Sequence, residues 1–142
     1  MKKYKVGYTQ GVYDMFHIGH LNLINNAKKY CDYLIVAVNS DELVERYKNK
    51  TPVINQEERR YIIENIKAVD KAVIADTLDK NVQLNKYKFD AIFIGDDWKG
   101  NPRWEKTKTE LNQVGVDVVF LPHTDGICST ELRSVADKKI EE

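Results

Sequence analysis

The sequence is poor in the residues that stabilise disulfide-rich or zinc-binding proteins. Its two cysteines, Cys31 and Cys128, lie far apart in a chain of 142 residues and in different sequence contexts. This spacing argues against a disulfide framework or a zinc knuckle and favours a reducing compartment, the cytoplasm. Histidine is also scarce, with three residues, as is proline, with three.

The chain also lacks an excess of charge of either sign and lacks long hydrophobic runs. Lys plus Arg and Asp plus Glu both number 22, so the formal net charge is zero. This balance does not suggest a basic groove for nucleic acid or an adhesive membrane face. No apolar run is long enough for a signal peptide or a membrane span. At this length we expect one compact domain over residues 1–142.

Short apolar segments alternate with amphipathic ones along the chain. This alternation predicts an α/β protein with a Rossmann-like, doubly wound sheet of five parallel strands. For this sheet we expect the strand order 3-2-1-4-5. Between the second strand and the second helix, residues 46–51 are rich in Lys and Arg, and we interpret them as a basic loop. The predicted strands are residues 4–9, 32–39, 69–75, 89–94 and 116–121, and the predicted helices after the first one are 55–67, 77–87, 102–114 and 129–138.

Two of the three histidines, His17 and His20, fall in one His-Ile-Gly-His unit at the predicted start of the first helix. A helix start offers unpaired N–H groups and the positive end of the dipole, and imidazoles add further donors. Upstream, Gly11 permits a tight reversal where the backbone approaches a ligand. Ordinary surface histidines are the alternative, which this clustering disfavours, and a zinc pair would lack a nearby third ligand. The unit therefore predicts a polyphosphate site.

The predicted strand order brings this segment close to a second distinctive one. In doubly wound sheets, ligands bind beyond the carboxyl ends of the strands, where the winding direction reverses. Here the reversal falls between the first and fourth strands. We therefore expect residues 9–20 to lie beside the Gly-Asp-Asp-Trp segment at residues 95–98.

Four blocks resemble the cytidylyltransferase family of the nucleotidyltransferase α/β superfamily. They are residues 11–20, the segment around Arg59, residues 95–98, and Thr-Asp-Gly-Ile-Cys-Ser-Thr at residues 124–130. The resemblance implies transfer of CMP from CTP to glycerol 3-phosphate, giving CDP-glycerol and pyrophosphate. Another phosphorylated polyol or amino alcohol as acceptor, or ATP as donor, remains open.

The resemblance further implies a cytoplasmic homodimer whose product is a precursor of teichoic acid or another cell-surface polymer. We also expect Mg²⁺ as a cofactor, because a metal ion usually neutralises the charge of polyphosphates. It would be bound mainly through the nucleotide phosphates rather than by protein ligands. RNA ligand chemistry and a non-catalytic nucleotide sensor are weaker alternatives. The short chain and zero net charge disfavour the first, and retention of both histidines and the basic segment disfavours the second.

Roles for individual residues follow from the motifs and the resemblance. The expected catalytic residues are His17, His20, Lys50 and Arg59. The expected nucleotide-binding residues are Thr9, Gly11, Tyr13, Asp14, His17, Gly19, His20, Gly95, Asp97, Thr124, Gly126, Ile127, Ser129 and Thr130. The expected acceptor-binding residues are Lys48, Lys50, Asp97, Trp98 and His123.

Several of these residues could instead have purely structural or solvent-exposed roles. The two lysines could belong to a solvated charge run, Arg59 to the protein surface, and Trp98 to a packed turn. The chain also departs from the family pattern, since His123 and Lys67 stand where the family usually has arginine. No paired carboxylates and no nucleophile–base pair are evident, and a phosphate monoester attacking phosphorus requires neither, because it is already anionic.

Overall fold

The computed structural model describes residues 2–122. Their five strands form one parallel sheet in the order β3-β2-β1-β4-β5, which confirms the predicted fold class and strand order. The predicted helix over 129–138 lies outside the described residues. The strands are β1 (Tyr4–Gly11), β2 (Cys31–Asn39), β3 (Lys71–Ala75), β4 (Ala91–Gly95) and β5 (Asp117–Leu121), and the helices are α1 (Ile18–Lys28), α2 (Asp41–Lys48), α3 (Gln56–Glu64), α4 (Lys80–Tyr87) and α5 (Pro102–Gln113).

Helices cover both faces of this sheet. One hydrophobic cluster contains Ile24 of α1 and Ile63 of α3, and the other contains Trp104 and Leu111 of α5. Strand β2 contributes to both clusters, as expected for a strand buried on both faces. The strands β1 and β4 are parallel neighbours, so their carboxyl ends lie side by side at one end of the sheet. Helix α1 lies on one face of the sheet there and α5 on the other.

Polar residues set the starting points of the helices. The hydroxyl of Ser40 accepts a hydrogen bond from the amide of Leu43 at the start of α2. Asn55 caps α3 in the same way, and Asp79 caps α4. Each of these side chains satisfies a backbone N–H that the first helical turn leaves without a partner.

The predicted basic loop over 46–51 is partly wrong, because a helix that the sequence analysis did not predict, α2, continues through Lys48. The helix has acidic residues in its first turn and Arg46 and Lys48 in its last, an arrangement that favours the helix dipole. It ends at Asn49, which adopts the left-handed conformation with φ 55°. Other element ends differ from the predicted ones by no more than three residues.

The three isoleucines at 62, 63 and 66, which a helix over 55–67 would turn towards the core, are not all buried. Ile63 is fully buried and Ile66 packs against the same cluster, but Ile62 is 38% exposed. Helix α3 ends at Glu64, three residues earlier than expected. None of the helices within residues 2–122 has the length and apolar character needed to cross a membrane.

Candidate active site

A cavity of about 480 Å³ opens at the edge where β1 and β4 end. Residues of the 9–20 and 95–98 segments line it together, as the strand order predicted. Six predicted site residues lie outside the described part of the chain: His123, Thr124, Gly126, Ile127, Ser129 and Thr130. The predicted site residues that line the cavity are Thr9, Gly11, Tyr13, Asp14, His17, Gly19, His20, Lys48, Lys50, Gly95, Asp97 and Trp98.

The chain reverses between β1 and α1 at Tyr13 and Met15 rather than at Gly11. Both residues have positive φ angles, 54° and 50°, in the left-handed region that non-glycine residues seldom adopt. Gly11 is needed for space instead, since a Cβ there would lie 3.2 Å from the ring of Tyr13. Strained backbone of this kind is often found at ligand-binding loops.

His17 and His20 define the start of α1 through a reciprocal capping arrangement. The amide of Gly19 donates to Nδ1 of His17 at 3.0 Å, and the amide of His17 donates to Nδ1 of His20 at 3.3 Å. The two rings stack with their centroids 3.9 Å apart. Because each Nδ1 accepts a backbone hydrogen bond, the proton of each neutral ring resides on Nε2.

Both imidazoles are neutral near pH 7. Burial lowers the pKa of His17 below its usual value. Burial, together with the neighbouring His17, lowers the pKa of His20 to about 4, against a smaller opposing effect of Asp14. Nε2 of His17 is buried and has no hydrogen-bond partner within residues 2–122. His17 lines the cavity, so the partner of this N–H donor is a group outside residues 2–122 or a ligand.

The Thr9 hydroxyl is engaged within the protein. It is fully buried and donates to the carbonyl of Phe93 at 2.9 Å, which links β1 to β4 at the floor of the cavity. Its oxygen also lies 3.5 Å from the hydroxyl of Tyr13. The Thr9 hydroxyl, which we expected to donate to a ligand, therefore donates to the neighbouring strand instead.

Asp14 connects the loop before α1 to the loop before α3. Its two carboxylate oxygens accept hydrogen bonds from the amides of Val53 and Ile54, at 2.8 and 2.9 Å. Lys48 ends α2 and Lys50 lies between α2 and these amides, so Asp14 helps to hold the segment with both lysines at the cavity. The contact of Asp14 is thus to the protein backbone rather than directly to the cavity contents.

Arg59, an expected catalytic residue, does not line the cavity. It is 1% exposed, and its guanidinium donates to the carbonyls of Val12, Asn39 and Ile54 at 2.7–2.8 Å. It also pairs with the carboxylate of Asp41 at 2.6 Å. The arginine joins the loops that follow β1 and β2, which places it beneath the site as a positioning residue.

The loop after β4 forms another wall. Gly95 leaves room for the Asp97 side chain, since a Cβ on it would lie 2.6 Å from a carboxylate oxygen of Asp97 and would displace that carboxylate. Trp98 is 40% exposed, in agreement with the expectation that it is not a core residue. The guanidinium of Arg103, at the start of α5, lies 5.9 Å from the centroid of its indole ring, a cation–π contact.

Sequence reasoning missed a polar network at the ends of β1 and β2. The side-chain amide of Gln10 donates to Asn39 at 2.8 Å, and Asn39 donates to the hydroxyl of Tyr47 at 3.0 Å. All three residues line the cavity. A signal was present for Asn39, a polar residue that ends an apolar strand at its carboxyl end, where ligands of such sheets bind.

The fold and this cavity together define a doubly wound α/β protein of the nucleotidyltransferase type. A family model described as cytidylyltransferase-like matches residues 8–135. The chain belongs to the cytidylyltransferase-like family, a family of nucleotidyltransferase enzymes. The resemblance in its motifs is thereby confirmed.

Similar proteins include two named glycerol-3-phosphate cytidylyltransferase. The protein of Bacillus spizizenii is 34% identical over 88% of this chain and 92% of its own length. That of Staphylococcus aureus is 32% identical over 88% of this chain and 89% of its own.

Two solved structures share the fold. A lipopolysaccharide core biosynthesis protein of Thermoplasma volcanium superposes with a TM-score of 0.75 at 27% identity, over 86% of this chain and 99% of its own. A pantoate-β-alanine ligase of Francisella tularensis superposes with a TM-score of 0.62 at 15% identity, over all of this chain and 72% of its own. The second likeness concerns the fold alone.

Proposed function

We propose that this protein transfers CMP from CTP to glycerol 3-phosphate. A phosphate oxygen of the acceptor attacks the α-phosphorus of CTP, and the bond from that phosphorus to the bridging oxygen breaks. CDP-glycerol forms and pyrophosphate leaves. A phosphate monoester is largely dianionic at neutral pH, because its second pKa is about 6, so no general base is needed. The names of the similar proteins support this choice of donor and acceptor.

One observation carries the proposal: Nε2 of His17, beside its stacked neighbour His20, is buried and has no partner in the described part of the chain. The Nδ1 atoms cap the helix, so each ring is held in place with Nε2 as its donor. Both donors and the start of α1 suit the phosphates of a nucleotide. Donors fixed before the reaction stabilise the charge that develops on departing pyrophosphate without reorganisation.

Lys48, at the end of α2, and Lys50, just after it, supply positive charge. Both line the cavity, and we assign Lys50 to the reacting phosphates and Lys48 to the acceptor side. Arg59 acts through the loops it joins. It is a positioning residue in this proposal, although the family resemblance implied direct contact with phosphate.

Mg²⁺ belongs to the proposal as a metal bound mainly through the nucleotide phosphates. Within residues 2–122, no cluster of three or more His, Cys, Asp or Glu side chains is arranged to hold an ion. Asp14, a carboxylate at the cavity, has both oxygens engaged by backbone amides. A metal that keeps oxygen ligands from phosphate and water fits this donor set. When bound, it neutralises part of the phosphate charge.

The oligomeric state and the cellular location of the protein are inferred from its family. We propose a homodimer in the cytoplasm, whose product is a precursor of teichoic acid or another cell-surface polymer. Sedimentation velocity at micromolar concentration measures the assembly directly. A species of 16.5 kDa, the mass of one chain, would contradict the dimer without affecting the proposed reaction.

Pyrophosphate release tests the reaction. Each nucleoside triphosphate is combined with glycerol 3-phosphate and with a panel of other phosphorylated polyols and amino alcohols, with and without Mg²⁺. We expect the highest kcat/KM with CTP and glycerol 3-phosphate. A preference for ATP or for another acceptor would show that the proposed substrates are wrong. If no combination of nucleoside triphosphate and acceptor released pyrophosphate, the proposed activity would be overturned.

Two substitutions at position 17 separate chemistry from folding. His17→Asn retains an N-cap side chain but removes the Nε2 donor, whereas His17→Ala removes both. We expect both variants to lose about 100- to 1000-fold in kcat, the usual effect of removing one preorganised donor. Only His17→Ala should lose thermal stability. Full activity in His17→Asn would contradict the assigned role of Nε2.

A further inference from the structure

A series of hydrogen bonds leads from the interior of the protein to Tyr47 at the cavity. Gln83 and Tyr8 are buried, and the side-chain amide of Gln83 donates to the Tyr8 hydroxyl at 3.0 Å. The Tyr8 hydroxyl donates to Oε1 of Gln10 at 2.5 Å. The side-chain amide of Gln10 donates to Asn39, and Asn39 donates to the hydroxyl of Tyr47. The series therefore ends at a side chain in the cavity wall.

One backbone carbonyl fixes the direction of these bonds. Nε2 of Gln10 also donates to the carbonyl of Thr77 at 2.9 Å, and a carbonyl can only accept. The Gln10 amide therefore turns its N–H groups towards Thr77 and Asn39. Since Oδ1 of Asn39 accepts from Gln10, only Nδ2 of Asn39 remains for Tyr47. The Tyr47 oxygen must accept this bond, so its own proton points away from Asn39.

The Tyr47 hydroxyl thus has an O–H group available to a ligand. Tyr47 is 37% exposed and lines the cavity. Within residues 2–122, the hydrogen bond of its hydroxyl is the one that it accepts from Asn39. Burial raises the pKa of the Tyr47 phenol, against smaller opposing effects of its neighbours, so the proton is present at neutral pH.

Two cations beside Tyr47 indicate what kind of group its hydroxyl meets. The ammonium of Lys48 lies 5.7 Å from the centroid of the Tyr47 ring, a cation–π contact that keeps this lysine next to the phenol. Arg103, which also lines the cavity, is near enough for its charge to act on the phenol. Lys48 is assigned above to the acceptor side. The phenol beside it is therefore placed to meet the carbon chain that the acceptor phosphate carries.

We propose that Tyr47 makes this protein selective for phosphorylated polyols, because its O–H donates to a hydroxyl oxygen of the acceptor. This inference rests on the proposed function, and it decides between the polyol and amino alcohol acceptors left open by the sequence. An ammonium group accepts no hydrogen bond, and it would lie near the charges of Lys48 and Arg103. A site built to hydrogen-bond a substrate hydroxyl discriminates against analogues that lack it.

Tyr47→Phe is the decisive variant, because it keeps the ring beside Lys48 and removes only the hydroxyl. Pyrophosphate release from CTP is measured with glycerol 3-phosphate and with propyl phosphate, which has the same phosphate but no free hydroxyl. We expect kcat/KM for glycerol 3-phosphate to fall about 3- to 10-fold, the usual effect of losing a neutral hydrogen bond. The value for propyl phosphate should be unchanged, and the wild-type preference for glycerol 3-phosphate over 2-aminoethyl phosphate should narrow.

Tyr61→Phe is the matched control for this substitution. Tyr61 is a tyrosine of α3 that is 64% exposed and is not among the residues lining the cavity. The same hydroxyl is removed, so any general effect of the change should appear in both variants. We expect the preference of Tyr61→Phe among the three acceptors to equal that of the wild type.

Reversing the polarity of the series provides a second test. In Asn39→Asp, the carboxylate accepts from both Gln10 and Tyr47, so the Tyr47 proton turns away from the ligand although the hydroxyl remains. The added negative charge should raise KM for all phosphorylated acceptors alike. The preference for glycerol 3-phosphate over propyl phosphate should nevertheless fall to the level of Tyr47→Phe. A merely structural role of Tyr47 would leave this preference at the wild-type value.

The possible results distinguish this inference from the proposed function. Wild-type protein that releases no pyrophosphate with CTP and any acceptor would refute the proposed function and this inference with it. An active wild type that prefers 2-aminoethyl phosphate would overturn the inference alone. So would a Tyr47→Phe variant whose kcat/KM is unchanged, or falls equally, for glycerol 3-phosphate and propyl phosphate.

Discussion

Single residues at this site combine structural and chemical tasks. His17 uses one ring nitrogen to cap α1, and its other ring nitrogen is buried without a partner within residues 2–122. Thr9 lines the cavity, yet its hydroxyl closes a bond between strands. When one polar atom of a side chain already has a hydrogen-bond partner in the protein, the remaining polar atom determines what the residue can bind.

Protonation of His20 should make stability depend on pH. Its pKa is lowered to about 4 in the folded protein, from 6.5 in an unfolded chain. Between these values the unfolded chain binds more protons, so this contribution to stability is complete above about pH 6.5 and is lost as the pH falls towards 4. We expect the melting temperature to fall between pH 7 and pH 5.

His20→Gln isolates that contribution. Glutamine is also suited to the third position of a capping box, so helix α1 should form, but no imidazole remains to titrate there. The melting temperature of the variant should decline less steeply with acid than that of the wild type, as measured by circular dichroism. Parallel curves for the two proteins would show that His20 is not responsible.

At the scale of the element, α3 and the loops around it form a connected support. Arg59 projects from the first turns of α3 and joins the carbonyls that follow β1 and end β2. Asp14 joins the same region from the other side through two amides. The elements that carry the histidines and the basic segment are therefore held together by buried polar side chains, not only by apolar packing.

Replacing Arg59 should unfold the protein more readily rather than merely weaken substrate binding. Arg59→Met leaves three carbonyls and the Asp41 carboxylate without their donor, and we expect unfolding to become easier by about 3 kcal/mol or more. Arg60→Met is the neighbouring control. Its partners are surface carboxylates, and we expect a change within about 0.5 kcal/mol.

Urea denaturation of both variants measures these two changes. Equal stability of Arg59→Met and the wild type would contradict the supporting role assigned to the arginine. A stable Arg59→Met variant with a raised KM for CTP would instead favour the direct phosphate contact that the family resemblance implied.

At the scale of the whole molecule, the cavity lies at the carboxyl ends of β1 and β4, and helices pack on both faces of the sheet. Its middle is tightly packed. A Cβ on Gly7 would lie 2.6 Å from a ring atom of Phe93 and 2.7 Å from the sulfur of Cys31. Gly7 itself pairs with β2 and β4 in the interior of the sheet.

Gly7→Ala should therefore test the core without touching the site. Overpacking of this kind costs about 1–3 kcal/mol, and we expect the variant to unfold at lower urea concentration. Its kcat under conditions where it remains folded should be unchanged. Lys5→Ala, at an exposed position on the same strand, is the control. Loss of kcat in folded Gly7→Ala would show that the core and the site are coupled.

Local sequence was sufficient to predict the elements of residues 2–122 except α2, and the strand order expected for such a fold is confirmed. Alternating apolar and amphipathic segments, capping residues such as Asn55, and the His-Ile-Gly-His unit act over a few residues, so their physical consequences can be derived without coordinates. The meeting of the 9–20 and 95–98 segments followed from the strand order. The motifs also led to the correct family.

Tertiary structure alone decided what several individual side chains do. Arg59 has the sequence context of a surface residue or a phosphate ligand, yet its partners Val12 and Asn39 lie 47 and 20 residues away. Nothing in the local sequence indicated that Lys80 is buried, because its ammonium lies against the ring of Trp104 from another helix. Whether a charged group is buried, paired or left for a ligand depends on contacts between distant segments, and these exist only once the chain has folded.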